Sequence, residues 1–271
     1  MSDVVLSSGV RSNLLQLQKT ADLISQTQNK LATGKRVNSA LDNPNNYFTA
    51  QGLNNRANDL SSLLDAMSNG INTIQAANNG LTAITKLVQS AQSLTTQAQQ
   101  TTDPTIRASL AAQYNSLRTQ IDQLAGDSGF NGVNLLNGQN LTVVLNETAT
   151  SNTTVAGVTD TSAGALSLNA SVNNWAASSD ITAAATQLTA ALTTLRSQAQ
   201  TLSSTLATVQ TRQDFTKAMI STLQGGADNL TLADSNEEGA NLLALQTRQQ
   251  LSTTALSLAS QADQNVLRLF Q

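Results

Sequence analysis

The sequence predicts a mainly α protein, an elongated coiled-coil or helical-bundle rod with a small β-hairpin region at its tip. Three observations carry this expectation. Apolar residues recur at alternating steps of three and four through most of the chain, which is the helical period. Aromatic residues make up only 3% and charged residues only 11%, the latter against about 25% in ordinary domains. A chain built instead from Leu, Ala, Ile, Gln, Ser and Thr suits long, thin helical packing better than a core around large rings. Finally, both ends of the chain are amphipathic. A lone helix gains little in water, so the simplest solution folds the chain back and pairs the two ends.

The elements follow in order. Leu14, Leu17, Ala21, Ile24, Gln28 and Leu31 form a first seam with one polar position, closed by Gly34 as a C-cap. Asn43-Pro44 reads as a turn. A second seam runs from Leu53 through Leu60, Met67, Ile74 and Leu81 to Val88. It predicts a helix to near Gln100, roughly 75 Å long at 1.5 Å per residue. Asp103-Pro104 is the next turn, and Ile106, Leu110, Tyr114, Leu117, Ile121 and Leu124 mark a third helix.

Residues 126–175 change character. Asn131-Gly132 and Asn137-Gly138 are turn dipeptides, and Leu141, Val143 and Leu145 alternate as in a strand. Residues 148–164, rich in Thr, Ser, Gly and Asn, read as a loop or hairpin-bearing insertion. Helix resumes at Ile181, keeps its rhythm through Leu188, Leu195, Leu202 and Val209, and is expected to stop at a hinge near Gly225-Gly226.

The last helix carries two seams. One is Leu242, Leu245, Gln249, Ser252, Leu256, Ala259, Asp263, Val266 and Phe270; the other is Leu251, Ala255, Leu258, Ala262, Asn265 and Leu269. Their offset of two residues is about 200° round a helix, so the helix is apolar on opposite faces. One face takes a partner within the chain; the other needs a second subunit. The alternative, the central helix of an ordinary bundle, is disfavoured by its place at a chain end, since ends usually lie at the surface.

Several function classes are set aside. The chain has no Cys and no His, so the commonest general base and metal ligand are missing and no disulfide forms. Glu237-Glu238 beside Asp234 could suggest an acid–base pair, but they read as the acidic first turn of a helix capped by Asp234 or Ser235. Gly225-Gly226 lacks the spacing and following Lys of a phosphate loop. No catalytic constellation, cofactor site or metal site is expected, and the chain is read as no enzyme. With a net charge of −3 and no Lys/Arg cluster, no nucleic acid is expected as a partner. No stretch approaches 18 apolar residues, so no membrane insertion is expected, and the N-terminus lacks the pattern of an ordinary signal peptide.

Three segments resemble one known family. LATGKRVNSALDNPNNYFTAQGL at residues 31–53 is similar to the N-terminal signature of bacterial flagellins, and GFNGVNLLNG at residues 129–138 to the junction leading into their β region. Residues 233–270, with the Gln264-Asn265-Val266-Leu267 tail, resemble the flagellin C-terminal helix. The resemblance is closest to short, alphaproteobacterial-type flagellins lacking large outer domains. It implies an inner core from residues 1–43 and 230–271, a shaft from 44–145 and 180–229, and a short variable outer β/loop segment at 146–179. It also implies a subunit that polymerises into a flagellar filament for swimming motility, secreted through the flagellar type III export apparatus with an export chaperone, and meeting hook-associated and cap proteins. A hook–filament junction protein is the alternative, and a secreted monomeric coiled-coil adaptor or effector the third choice.

Site residues follow from these readings. The expected polymerisation interface is Leu14, Leu17, Ala21, Ile24 and Leu31 with Leu251, Leu256, Leu258, Ala259, Ala262, Val266, Leu269 and Phe270. Lys35, Arg36, Asp42 and Pro44 are expected to fix the bend between core and shaft. Thr148, Thr150, Ser151, Thr153 and Thr154 form a surface region suited to O-glycosylation, a modification known in the family. In the stretch from Leu81 to Ala91, Thr82 and Ile84 stand where enteric flagellins carry arginines. The resemblance therefore implies weak or no binding to the vertebrate Toll-like flagellin receptor.

Overall fold

Proline and Asx residues open the long helices. The computed structural model describes residues 8–269, apart from the side chains of residues 263 and 266–269. Among these, α1 spans Ser8–Thr33, α2 Pro44–Gln100, α3 Pro104–Asp127, α4 Ser178–Thr231 and α5 Ser235–Leu269. Asp103 caps α3, accepting from the Thr105 amide at 2.8 Å with Pro104 in the first turn. Asn43 does the same for α2, accepting from the Asn46 amide at 3.1 Å. α1 ends at Gly34, whose φ of +67° is the left-handed cap conformation. Two short strands, β1 at Leu141–Val144 and β2 at Asn152–Val155, pair antiparallel with Val143 opposite Thr153. The fold is thus mainly α with a small hairpin, as the periodicity predicts.

The chain divides into two compact units. The first comprises Met1–Asn55 with Thr222–Gln271, the second Arg56–Ser221. The first unit therefore takes in the opening turns of α2, past the break expected at 43/44.

In the first unit α1 and α5 pair antiparallel: Lys30 bonds Glu238 at 2.9 Å, and the residues that face each other run backwards along α1 as they run forwards along α5. Val37, Ala50, Leu223 and Ala227 are also buried in this unit. Gly225-Gly226 does not end α4. The helix passes through both glycines to Thr231, and a Cβ on Gly226 would lie 3.4 Å from Leu53 Cδ1. That is ordinary van der Waals contact, so neither a helix end nor a steric need for glycine marks this pair.

The second unit carries the large core. Trp175, Tyr114, Met67, Ile74, Leu81, Ile121, Leu188 and Leu195 are all buried to within 2% of their surface. Trp175 packs on Tyr114 with ring centroids 5.1 Å apart. The third seam keeps its expected Leu110, Tyr114 and Ile121 inward and departs only at its start, where Ile106 is 49% exposed and Arg107 takes the inward position. Its guanidinium donates to the carbonyls of Thr101 at 2.8 Å and Ala176 at 2.9 Å, tying the end of α2 to the start of α4.

The junction motif at 129–138 caps α3. Asn134 Nδ2 donates to the carbonyls of Ala125 and Gly126, both at 2.8 Å, while Leu135 and Leu136 are buried. The hairpin lies alongside α2, not beyond its end: Leu136 reaches Gly80, Val143 reaches Gly70, and Glu147 bonds Arg56 at 2.6 Å. α2 can accept it because Gly70 and Gly80 have no side chain; a Cβ on Gly70 would sit 2.7 Å from Val143.

Outward faces are dressed with hydroxyls. Along α4, Thr182, Thr186, Thr189 and Thr193 are exposed, and each donates its hydroxyl to the carbonyl four residues back at 2.9–3.1 Å.

Candidate functional site

The first unit leaves apolar side chains uncovered on both of its long helices. In α5, Leu242, Leu245, Gln249, Ser252, Leu256 and Ala259 are half-buried, which marks the face turned to α1. The opposite face holds Leu243 and Leu251, each 67% exposed, and Leu258 at 62%. Ala255, Ala262 and Asn265 continue that face and are exposed. This is the second seam, and Leu243 extends it two steps earlier than the sequence reading.

α1 is rotated by one position from expectation. Leu17, Ile24 and Leu31 turn towards α5, but the alternating positions are Asn13, Thr20 and Thr27. Leu14, at 39%, and Ala21 lie outward, joined there by Leu15 at 55% and Leu23 at 44%. The reason is threonine chemistry. The Thr20 hydroxyl donates to the Gln16 carbonyl at 2.9 Å, so the side chain buries its methyl without an unmet donor.

The residues expected at one interface thus fall into two sets. Leu17, Ile24, Leu31, Leu256 and Ala259 serve the pairing within the chain, whereas Leu14, Ala21, Leu251, Leu258 and Ala262 remain outward. Phe270, and the side chains of Val266 and Leu269, lie outside the described residues.

The bend residues meet in the first unit. The Arg36 and Val37 amides donate to the Thr231 carbonyl at 2.8 and 3.3 Å, Lys35 bridges Leu232, and the Arg36 guanidinium donates to the Asn229 carbonyl at 2.9 Å. Asp42 Oδ2 accepts from the amides of Asn38 and Ser39, both at 2.9 Å. These amide bonds, Ser39's foremost, hold its carboxyl below the usual range. Pro44 opens α2. Asp234 caps α5, accepting from the amides of Asn236 at 2.8 Å and Glu237 at 3.3 Å, which fits the macrodipole reading of the acidic turn.

The other expected sites are scattered. Thr148 and Thr150 are exposed and share a hydroxyl contact of 2.9 Å, while Ser151 and Thr153 are half-buried and Thr154 is exposed on β2. On α2, Thr82, Lys86, Gln89 and Ser90 line one exposed face, whereas Ile84 and Val88 are fully buried. Among the described residues no three His, Cys, Asp or Glu gather as metal ligands, and no helix is long and apolar enough to cross a membrane.

Fold and site together define a class: a helical protein that pairs the two ends of its chain and leaves a leucine stripe exposed. Residues 7–141 match the bacterial flagellin N-terminal helical region, and residues 179–270 the bacterial flagellin C-terminal helical region. The chain belongs to the bacterial flagellin family. It is 32% identical to flagellin FljN of Caulobacter vibrioides over 276 residues, spanning 100% of this chain and 99% of that one. Flagellin of Brucella melitensis is 27% identical over 286 residues, covering both chains completely. Over 57% of this chain and 88% of the other, the crystal structure of Bacillus cereus flagellin is similar with a TM-score of 0.47 and 21% identity. Flagellins are structural proteins, and this one is a filament subunit of the extracellular bacterial flagellum.

Proposed function

We propose that the outward stripe of α5, from Leu243 through Leu251 and Leu258 to Ala262, is a surface on which successive copies stack in the filament. Leu14, Leu15 and Leu23 supply the matching apolar face on α1. The observation that carries this reading is the exposure of Leu251 at 67% and Leu258 at 62% on the face opposite the α1 contact. Burying a leucine contributes about 1.5–3 kcal/mol, whereas association costs about 4–15 kcal/mol in lost freedom. A single stripe is therefore marginal, and each copy must touch several neighbours.

The test is Leu251→Asp with Leu258→Asp, added to filament seeds. The expected result is loss of pelletable polymer with helical content unchanged by circular dichroism. Normal filament growth from the double variant would overturn the assignment.

Further readings rest on the family likeness. We take the first unit as the inner core and the second as the shaft. Secretion through the flagellar type III apparatus with a chaperone, and contact with hook-associated and cap proteins at the filament ends, follow from the same likeness. Exposed Thr148, Thr150 and Thr154 are the hydroxyls best placed for O-glycosylation, and the intact mass of the secreted protein reads this directly.

Weak or absent Toll-like flagellin receptor activation is supported by the exposed face of residues 81–91 in α2, which offers Thr82 and Lys86 but no arginine. Ile84 is no candidate for restoring contact, because it is fully buried and a charge there would face the core. Thr82→Arg alone is expected to raise the response in receptor reporter cells. A wild-type response equal to that of an enteric flagellin would refute the reading.

A further inference from the structure

The segment after β2 buries a carboxyl group with no cation beside it. Asp160 is 0% exposed, and its amide donates to the Leu136 carbonyl at 2.8 Å. Gln198, on α4, donates through Nε2 to Asp160 Oδ1 at 2.9 Å. The second oxygen of each group, Asp160 Oδ2 and Gln198 Oε1, is buried with no hydrogen-bond partner. Two lone-pair acceptors cannot satisfy each other, and a buried polar atom left unpaired is costly. Both residues border a cavity of about 350 Å³ walled by Leu81, Leu135, Val155 and Leu202. The two orphan oxygens themselves expose almost no surface.

We propose that Asp160 holds a proton on Oδ2 and donates it to Gln198 Oε1, closing a two-bond acid–amide ring that latches the segment after β2 to α4. One proton from solvent satisfies both orphan atoms, and only the O–H bond is made. The surroundings bring no competing charge into contact. α2 contributes Leu81, and the segment before the hairpin contributes Leu135 and Leu136. α4 contributes Ser197 and Gln198, with Arg196 exposed on the same helix. On α3, Asp122 accepts from the Ser162 hydroxyl at 2.9 Å and Arg118 donates to that oxygen at 3.2 Å. Burial accordingly pushes the Asp160 carboxyl up to about 6, against the partial opposition of the Gln198 bond.

The sign of the pH dependence follows. The folded-state pKa lies above the ordinary value of 3.8, so the latch contributes fully below about pH 4 and is lost as pH rises through about 6.

Asp160→Asn tests this, because an amide in that place keeps both hydrogen bonds at every pH. The experiment uses the full-length monomer, with thermal and denaturant unfolding of both proteins at about pH 4 and about pH 7.5. The expected result is near-equal stability at the acid end. At the higher pH the variant should be the more stable, by up to about 100-fold in the unfolding constant. An NMR titration of the wild-type Asp160 carboxyl carbon should show a midpoint near 6. A midpoint near 4 overturns the proposal, as does a stability difference that is absent or the same at both pH values. Should the variant fail to fold, the wild-type titration still decides.

Discussion

Gly80 faces inward from α2 against Ser128 and Leu136, and an added methyl would overlap both. Gly126, near the end of α3, has nothing within 4 Å of the same position. The two glycines therefore give opposite expectations. Gly80→Ala should cost about 1–3 kcal/mol through overpacking, whereas Gly126→Ala should be neutral or gain up to about 1 kcal/mol in helix propensity. Urea unfolding checks both, and equal effects would contradict the packing described for the junction motif. At this scale the sequence was legible where local chemistry decides. The turns at Asn131-Gly132 and Asp103-Pro104 and the acidic cap at Asp234 or Ser235 read directly from residue type. Arg107 and Asp160 did not, because their burial depends on partners 38 to 71 residues distant. Arg107 had one weak signal: it sits three residues before Leu110, in step with the seam.

The long helices were legible as elements because alternating steps of three and four persist over many turns, which chance seldom sustains. Their exact rotation was not. In α1 the residues beside Leu17 and Ile24 are apolar on one flank and Thr on the other, and hydropathy favours the flank with Leu14 and Ala21. The chain buries Thr20 and Thr27 instead. Thr73, Thr95 and Thr216 are likewise buried, each with its hydroxyl bonded to a carbonyl of its own helix. A threonine of this kind packs as though apolar, so a scale that scores it polar misplaces the seam by one residue. The same logic bears on α5, whose two expected faces match the burial of its described side chains, with Leu243 added. Removing the last 20 residues takes away Leu258 and Ala262 from the open face and Leu256 and Ala259 from the paired one. The truncated chain should not polymerise from seeds, while the second unit, which contains none of these residues, keeps its core. Sedimentation with near-ultraviolet circular dichroism from Trp175 measures both, and filaments from the truncated chain would show that the end of α5 is dispensable.

Across the whole molecule the two units divide the chemistry. The second holds the buried Tyr114–Trp175 pair, the buried Arg107 and the hairpin; the first holds a thin helix pair with three buried positions in α1, two of them threonines. Periodicity predicted both sets of helices, but it carried no information about where compact packing begins, since that depends on which helices approach closely through glycine. The threonine-lined outer faces carry a last consequence. A hydroxyl that has turned inward to its own helix no longer grips the surrounding liquid strongly, and what it shows outward is largely a methyl group. Such a coat is neither oily enough to clump a free chain nor charged enough to repel its twin. With its hydroxyls already bonded to the helix, such a face gives up fewer water hydrogen bonds when covered than one of free hydroxyls.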